Sequence, residues 1–300
     1  MKKFAILTDS CCDLTKDLRD KYDIDYTSMH YSFDEKDYVA DLDWTARSPK
    51  EFYDLMRQGV RIKSSAVNSA AYVELFEKYL SQGMDILSIS TTSALSNSVR
   101  ASFTARDQLL EKYPQAKIIC IDSCCACTGL GILCIKASMM REEGKTIEEA
   151  AGWVKENAKY INQEGTVDKL TWLKQAGRVS ALSAFFGGLL NIKPLIISDI
   201  HGYNVAVEKV KGRKASIVRV AERVADEYVA NDFGIFINHA DCLGDAIDLR
   251  NEIMARLDVK QEDFHMGYIG PAIGASVGPG MMGVYFYGKE VTLDSKAKEE

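Results

Sequence analysis

The sequence lacks most of what would mark a familiar enzyme. It has no Walker A loop, no H-E-x-x-H helix and no protein-kinase loops, which excludes P-loop phosphate binding, zinc-protease chemistry and kinase machinery within the chain. Its four histidines, at 30, 201, 239 and 265, are scattered without His-x-x-His spacing, so no local histidine metal site is expected. No apolar run approaches the ~18 residues of a membrane span. The opening Met-Lys-Lys-Phe-Ala-Ile-Leu-Thr-Asp runs straight into a strand and lacks the longer apolar region and cleavage site of a signal peptide, so the expected location is the cytoplasm. An excess of Lys and Arg is also missing. With a net charge of -6 and a pI near 5.4, a nucleic-acid surface is not expected. The one basic group, Lys209, Lys211, Arg213, Lys214 and Arg219, reads as a solvated hairpin and helix start, or alternatively as a dock for an acidic partner. Internal repeats and low-complexity segments are absent.

What is present is a chain of 300 residues, 47% hydrophobic and 27% charged, enough for roughly two domains whose cores need no disulfides. Eight cysteines at 11, 12, 120, 124, 125, 127, 134 and 242 read as free thiols. Within Cys124-Cys125-Ala126-Cys127 a thiolate at a helix start is physically reasonable. No second C-x-x-C pair and no histidine at ligand spacing accompany it, which favours small helix-start and core residues over a metal or redox site.

The chain is organised around Leu87 to Ser102, where a short apolar run ends in hydroxyls and becomes helical. Asp85 to Ser90 reads as a buried strand, and Ser93 or Ser96 can cap the helix that carries Val99, Phe103, Leu109 and Leu110. Such a helix start offers N–H donors to a carboxylate or phosphate. Capping alone is the plain alternative. A second pair, Ser64-Ser65, follows the run Val60-Arg61-Ile62 and precedes a helix over 70–80, so two hydroxyl-lined helix starts in one sheet can converge. Phe4 to Thr8 and Lys117 to Ile121 are further strands, ending in Asp9-Ser10 and Asp122-Ser123. Both pairs are expected on one rim of a parallel sheet, where open α/β folds bind ligands. A Gly-interrupted apolar helix over 126–141 follows the second, and Thr146-x-x-Glu149 is a capping box opening a helix to about Ile161.

Near Gly165 the pattern changes, which places the domain boundary between 164 and 165. The second half reads as a helix over 181–189, a strand over 194–198, a hairpin turn at His201-Gly202 and a strand over 205–210. A helix to Tyr228, a strand over 233–237, a helix over 243–257, a strand over 263–269, a Gly-rich loop and a last strand over 283–287 complete it. Hairpins mixed with helices indicate α+β, an antiparallel sheet with helices packed on it. Two motifs in the Gly-rich loop are tempting. Gly278-Pro-Gly280-Met-Met-Gly283 fits G-x-G-x-x-G but is followed by a strand instead of the helix a dinucleotide needs. Gly274-Ala-Ser276-Val-Gly278 fits the nucleophile elbow, yet no histidine lies after His265 and Pro-Gly stands where the elbow's helix belongs. A small-molecule hydrolase or transferase using Ser276 or Cys124 remains the alternative reading.

Taken in order, Thr8-Asp9-Ser10, Lys63-Ser64-Ser65, Ser93-Ala-Leu-Ser96, Asp122-Ser123, Gly177-Arg178-Val-Ser180 and Gly270-Pro-Ala-Ile-Gly274…Gly278-Pro-Gly280 resemble the DegV family over nearly the whole length. The resemblance implies an N-terminal α/β domain with a parallel sheet (1–164), a C-terminal α+β domain on an antiparallel sheet (165–300), and a long-chain fatty acid such as palmitate, stearate or oleate between them. It implies a monomeric, non-catalytic carrier that presents the carboxylate to a separate fatty acid kinase subunit, with no cofactor and no metal. Ser64 stands where the family's Thr-Ser-x-Pro-Ser motif has Thr, and Ser65 matches it, whereas Val67 and Asn68 depart. Ser96 matches the serine of Leu-Ser-Gly-Thr, preceded by Ser93, with Asn97 and Ser98 departing. Arg178 matches the arginine of Gly-Gly-Arg, with Ala176 for the first Gly. Ser276 occupies the place of a histidine next to the carboxylate in many members. In physical terms Ser64, Ser96 and backbone N–H groups are neutral donors for a carboxylate. Phe185, Phe186, Leu189 and Leu190 are candidates for the tunnel wall or, equally, for a plain core.

Overall fold

The structure, a computed structural model, describes residues 4–180 and 191–296. It opens with β1 (Phe4–Asp9), buried along its full length as a strand covered on both faces must be. A 3₁₀ turn over Ser10–Cys12 leads into α1 (Lys16–Tyr22) and β2 (Ile24–Thr27). Then come β3 (Met29–Phe33), β4 (Lys36–Ala40), α2 (Pro49–Arg57) and β5 (Lys63–Ser65). The half is completed by α3 (Ser69–Leu80), β6 (Asp85–Ser90), α4 (Ser98–Lys112), β7 (Ile118–Asp122), α5 (Cys127–Glu142) and α6 (Ile147–Asn157). Four of these strands make a wholly parallel sheet in the order β2-β1-β6-β7, and β4-β3-β5 make a small antiparallel one. Residues 24–57, to which the sequence pattern assigns no element, thus supply most of that second sheet. Its third strand is Lys63–Ser65 and not the apolar run before it.

The second half contains β8 (Ile161–Thr166), α7 (Leu170–Ala176), β9 (Val179–Ser180), β10 (Ile192–Ser198) and β11 (Asn204–Lys211). It continues with α8 (Arg213–Glu227), β12 (Ile235–His239), α9 (Leu243–Met254), β13 (Phe264–Tyr268), α10 (Pro271–Val277) and β14 (Met282–Tyr287). Its seven-stranded sheet runs β13-β12-β14-β8-β10-β11-β9. The expected antiparallel pairing holds through its middle, while β12 with β13 and β11 with β9 are parallel, so the sheet is mixed.

Two expectations change. The Thr146–Glu149 capping box forms, but α6 ends at Asn157 and Ile161 begins a strand, because a 3₁₀ turn over Ala158–Tyr160 breaks the helical ladder. Gly165, where the sequence pattern changes, lies inside β8, paired with β10 on one side and β14 on the other, and this strand begins at Ile161. The Gly-rich loop contains α10, opened by Pro271 at its first position, where a missing N–H costs nothing. The helix expected over 181–189, with Phe185, Phe186, Leu189 and Leu190, lies outside the described residues.

The central element is α5. Its residues Cys127 to Ile135 are buried without interruption, the mark of a helix covered all round. It packs against β1 and β6 on one side and β8 and β14 on the other, so a single apolar core runs from Phe4 through Leu130 to Met281 and Tyr285. Gly131 makes that fit possible: a Cβ there would stand 2.6 Å from Leu14 Cδ2 and 3.1 Å from Cys12 O. A second core of Leu195, Ile217, Val220, Ile237, Leu249 and Phe286 lies between the large sheet and the helices α8 and α9.

Candidate functional site

The carboxyl ends of β1, β6 and β7 carry acidic groups that shape the loop after β6. Asp9 accepts hydrogen bonds from Thr91 N at 2.9 Å and Cys11 N at 3.0 Å, with the Tyr72 hydroxyl at 3.4 Å. Burial outweighs these bonds and pushes its carboxyl up to about 6. Asp122 accepts from Ser93 N and Cys124 N at 3.2 Å. Both Asp-Ser pairs therefore close one rim of the parallel sheet, as their strand ends predict. The loop then turns on Thr92, whose carbonyl accepts from the N–H groups of Leu95 and Ser96.

Capping differs in detail from expectation. Asn97, without a side-chain cap bond, starts α4, and Ser93 spends its amide on Asp122. Ser96 does reach the helix start, its hydroxyl accepting from Ser98 N at 3.2 Å and lying 3.0 Å from Ser98 Oγ. Ser98 Oγ in turn accepts from Val67 N at 3.1 Å. That bond ties the loop after β6 to the one after β5, so the two serine pairs do converge. They do so across two sheets, since Ser64 and Ser65 pair with Tyr31 and His30 in the small antiparallel sheet.

Ser64, Ser65, Ser93, Ser96, Arg178 and Ser276 all line one cavity of about 420 Å³, within the ~300–1,000 Å³ usual for small-molecule sites. Arg178 follows Gly177, whose left-handed conformation ends α7, and its exposed guanidinium donates to Ala176 O. Ser276 arrives on α10. Asn97, at the start of α4, also lines the cavity, so the positive end of a 15-residue helix stands at its rim. Most of the rest of the wall is apolar, with Met29, Leu95, Leu173, Val179, Ile273 and Val277, and Thr91 and Asn204 are the polar exceptions. Leu173, Val179, Ile273 and Val277 also line a narrower space of about 50 Å³ that continues to Ile196, Ile269, Met281 and Tyr285 in the core between the sheets. The cavity thus combines hydroxyl and cationic donors with apolar wall, and the narrower space is mostly apolar, with Gln163, Glu164 and Asn204 also on its lining. Cys11, Met29 and Asn204 belong to the wall without having been singled out by any sequence motif.

Among the described residues, the candidates for nucleophilic catalysis have no activating partner. Burial pushes the Cys124 thiol up to about 11, with Asp122 and Asp199 adding to it, so it stays protonated at neutral pH. Ser276 sits within a helix instead of at a strand-to-helix elbow, and no hydrogen bond joins it to a histidine. The histidines are engaged elsewhere: His30 with Asp37, His201 with Asp294, His239 with Cys242 N and His265 against the Phe236 ring. Among the described residues no group of three or more His, Cys, Asp or Glu is placed to hold a metal ion, and no helix is long and apolar enough to cross a membrane.

Comparison with known proteins agrees with this architecture. Residues 3–289 match an uncharacterised protein family, DegV. A DegV domain-containing protein of Clostridium perfringens is 40% identical over 96% of this chain and 98% of its own length. A stearic acid-binding protein from Eubacterium ventriosum superposes with a TM-score of 0.84 at 26% identity, covering 95% of this chain and 98% of that one. DegV of Bacillus subtilis, a fatty acid binding protein, superposes with a TM-score of 0.80 at 25% identity, covering 96% and 100%. The chain belongs to the DegV family.

Proposed function

We propose that this protein binds a long-chain fatty acid such as palmitate, stearate or oleate, and is a carrier and not itself a catalyst. The observation that carries the reading is one cavity lined both by the donors Ser64, Ser65, Ser93, Ser96, Arg178 and Ser276 and by apolar side chains, beside a narrower, mostly apolar space in the core. A carboxylate needs donors there and no base. Charge-assisted hydrogen bonds of this kind contribute roughly 1.5–3 kcal/mol each. Each buried CH₂ of the tail adds about 0.8 kcal/mol, so the hydrocarbon end dominates affinity and the donors fix orientation. The stearic acid-binding and fatty acid binding relatives support the ligand class.

A carboxylate held at the exposed donors, with its tail buried, is available to a second protein. The family resemblance makes a separate fatty acid kinase subunit that partner, in the cytoplasm, and the carrier a monomer when free. Organic extraction of the purified protein followed by mass spectrometry should yield a co-purifying acyl chain. Absence of any acyl chain, together with no binding of added palmitate or oleate, would overturn the reading. Replacing both Ser64 and Ser96 by Ala should weaken palmitate binding about a hundredfold or more with the fold retained, since two donors worth at least ~1.5 kcal/mol each are lost. For the kinase role, loaded protein, ATP and the kinase subunit should form an acyl phosphate that hydroxylamine traps as a hydroxamate. No trapped product would remove the kinase from the reading and leave the carrier.

A further inference from the structure

The loop that carries Ser93 and Ser96 is held from behind by an element that no motif marks. The hairpin between β10 and β11 ends in Asp199–Tyr203, and Gly202 (φ +80°) lies so close to the loop that a Cβ there would stand 2.3 Å from Thr92 Oγ1 and 2.7 Å from Cys124 O. Thr92 Oγ1 donates to His201 O at 3.4 Å and accepts from Ala94 N at 3.2 Å. The first turn of the loop is therefore built against the hairpin tip. The other side of the cavity mouth rides on the same hairpin, because Asn204 of β11 pairs with Val179, next to Arg178.

The tip is fastened in turn by the last described part of the chain. Ile200 N donates to Leu293 O at 2.9 Å, and His201 Nε2 lies 3.2 Å from Asp294 Oδ1. Asp199, 3% exposed, divides its carboxylate between the two. Oδ1 accepts from His201 N at 2.9 Å and Tyr203 N at 2.8 Å, within the hairpin. Oδ2 accepts from Ser295 N at 3.3 Å and from the Ser295 hydroxyl, across to the C-terminal segment. This segment is in neither core, so its few bonds can open while both cores stay folded.

We propose that residues 293–295 are a latch on the cavity mouth. By fixing the hairpin tip they hold the Thr92–Asn97 loop and the Arg178–Val179 edge at a set spacing and thereby limit the rate at which a ligand leaves, with Asp199 as the positioning residue. The ligand half of this inference rests on the fatty acid reading; the ordering of the loop does not.

The variant Asp199→Asn separates the two arms, because the amide oxygen can still accept from His201 N and Tyr203 N while the amide nitrogen cannot accept from Ser295 N; the bond it could still donate to the Ser295 hydroxyl is removed in Ser295→Ala. It is compared with Ser295→Ala and with the parent, each as the full chain. In ligand-free protein, amide hydrogen exchange at Ala94, Leu95 and Ser96 should quicken about tenfold in Asp199→Asn, the factor that ~1.4 kcal/mol represents, with β1 and β6 amides unchanged. In protein loaded with palmitate, transfer to phosphatidylcholine vesicles should quicken by a similar factor. Unchanged exchange at 94–96 in both variants, or equal quickening in β1 and β6, would overturn the latch. A parent that takes up no palmitate, with Asp199→Asn still quickening selectively at 94–96, would uphold the latch and sink the fatty acid reading instead.

Discussion

At the scale of single residues, the family resemblance sets a histidine where this chain has Ser276, and the consequence of that exchange can be tested. A histidine beside a bound carboxylate becomes cationic below its usual pKa of ~6.5 and then favours the ionised ligand, which a serine hydroxyl cannot do. Relative to the parent in the same buffers, Ser276→His should bind palmitate progressively more tightly as pH falls from 8 to 6. A constant ratio of the two affinities across that range would show that position 276 does not face the carboxylate. Asp13 supplies a second pH effect, on stability. Its Oδ2 accepts the Cys127 thiol at 2.9 Å. Burial, reinforced by nearby Asp9, pushes its carboxyl up to about 7. A carboxyl raised on folding binds its proton more tightly in the native state, so its contribution to stability is full below the unfolded value near 4 and is lost as pH rises through about 7. Asp13→Asn, which suits the left-handed backbone at this position, removes that dependence. Urea denaturation at pH 5, 6.5 and 8 should show the variant gaining on the parent as pH rises, by up to ~1.4 kcal/mol per unit below pH 7. A difference independent of pH would mean that Asp13 ionises normally.

At the scale of elements, β8 and α5 do what local pattern could not announce. The sequence around Gly165 reads as a change of character, and the reason is that β8 is the strand where the large sheet meets the cavity. Gly165 lines the narrow end of the cavity, and a Cβ there would stand 2.7 Å from both Met282 O and Met281 Cε. Because Met282 O is backbone of the neighbouring strand β14, the contact cannot be relieved by a side-chain rotation. Gly165→Ala should therefore destabilise the protein by about 1–3 kcal/mol, the usual penalty of overpacking, despite alanine's lower backbone entropy cost. A urea midpoint equal to the parent's would show that β8 and β14 can separate to admit a methyl group. The helix α5, by contrast, was legible from sequence as a Gly-interrupted apolar helix. Only its place between two sheets explains why the glycines are there.

At the scale of the whole molecule, the cavity lies against a core that spans both halves of the chain, so a ligand filling it would be linked to global stability. A ligand that binds only the folded state at a hundred times its Kd stabilises by ~2.7 kcal/mol. Saturating palmitate should raise the thermal midpoint of delipidated protein, and a parent midpoint indifferent to palmitate would contradict binding in this cavity. The sequence by itself determined what depends on near neighbours. The buried strands β1, β6 and β7 follow from short apolar runs, the capping box of α6 from Thr146 and Glu149 three positions apart, and the hydroxyl loops from strands that end in Asp, Ser and Thr. These features follow from backbone periodicity and local hydrogen bonding, which act over a few residues. Tertiary structure alone decided that Ser64 of a small antiparallel sheet, Ser96 after a parallel strand, Arg178 after α7 and Ser276 on α10 line one cavity. It also decided that Leu293–Ser295 fasten the hairpin that shapes it. Those meetings depend on strand order and on the burial of α5 between two sheets, contacts between residues tens to hundreds of positions apart that leave no periodic trace in the chain.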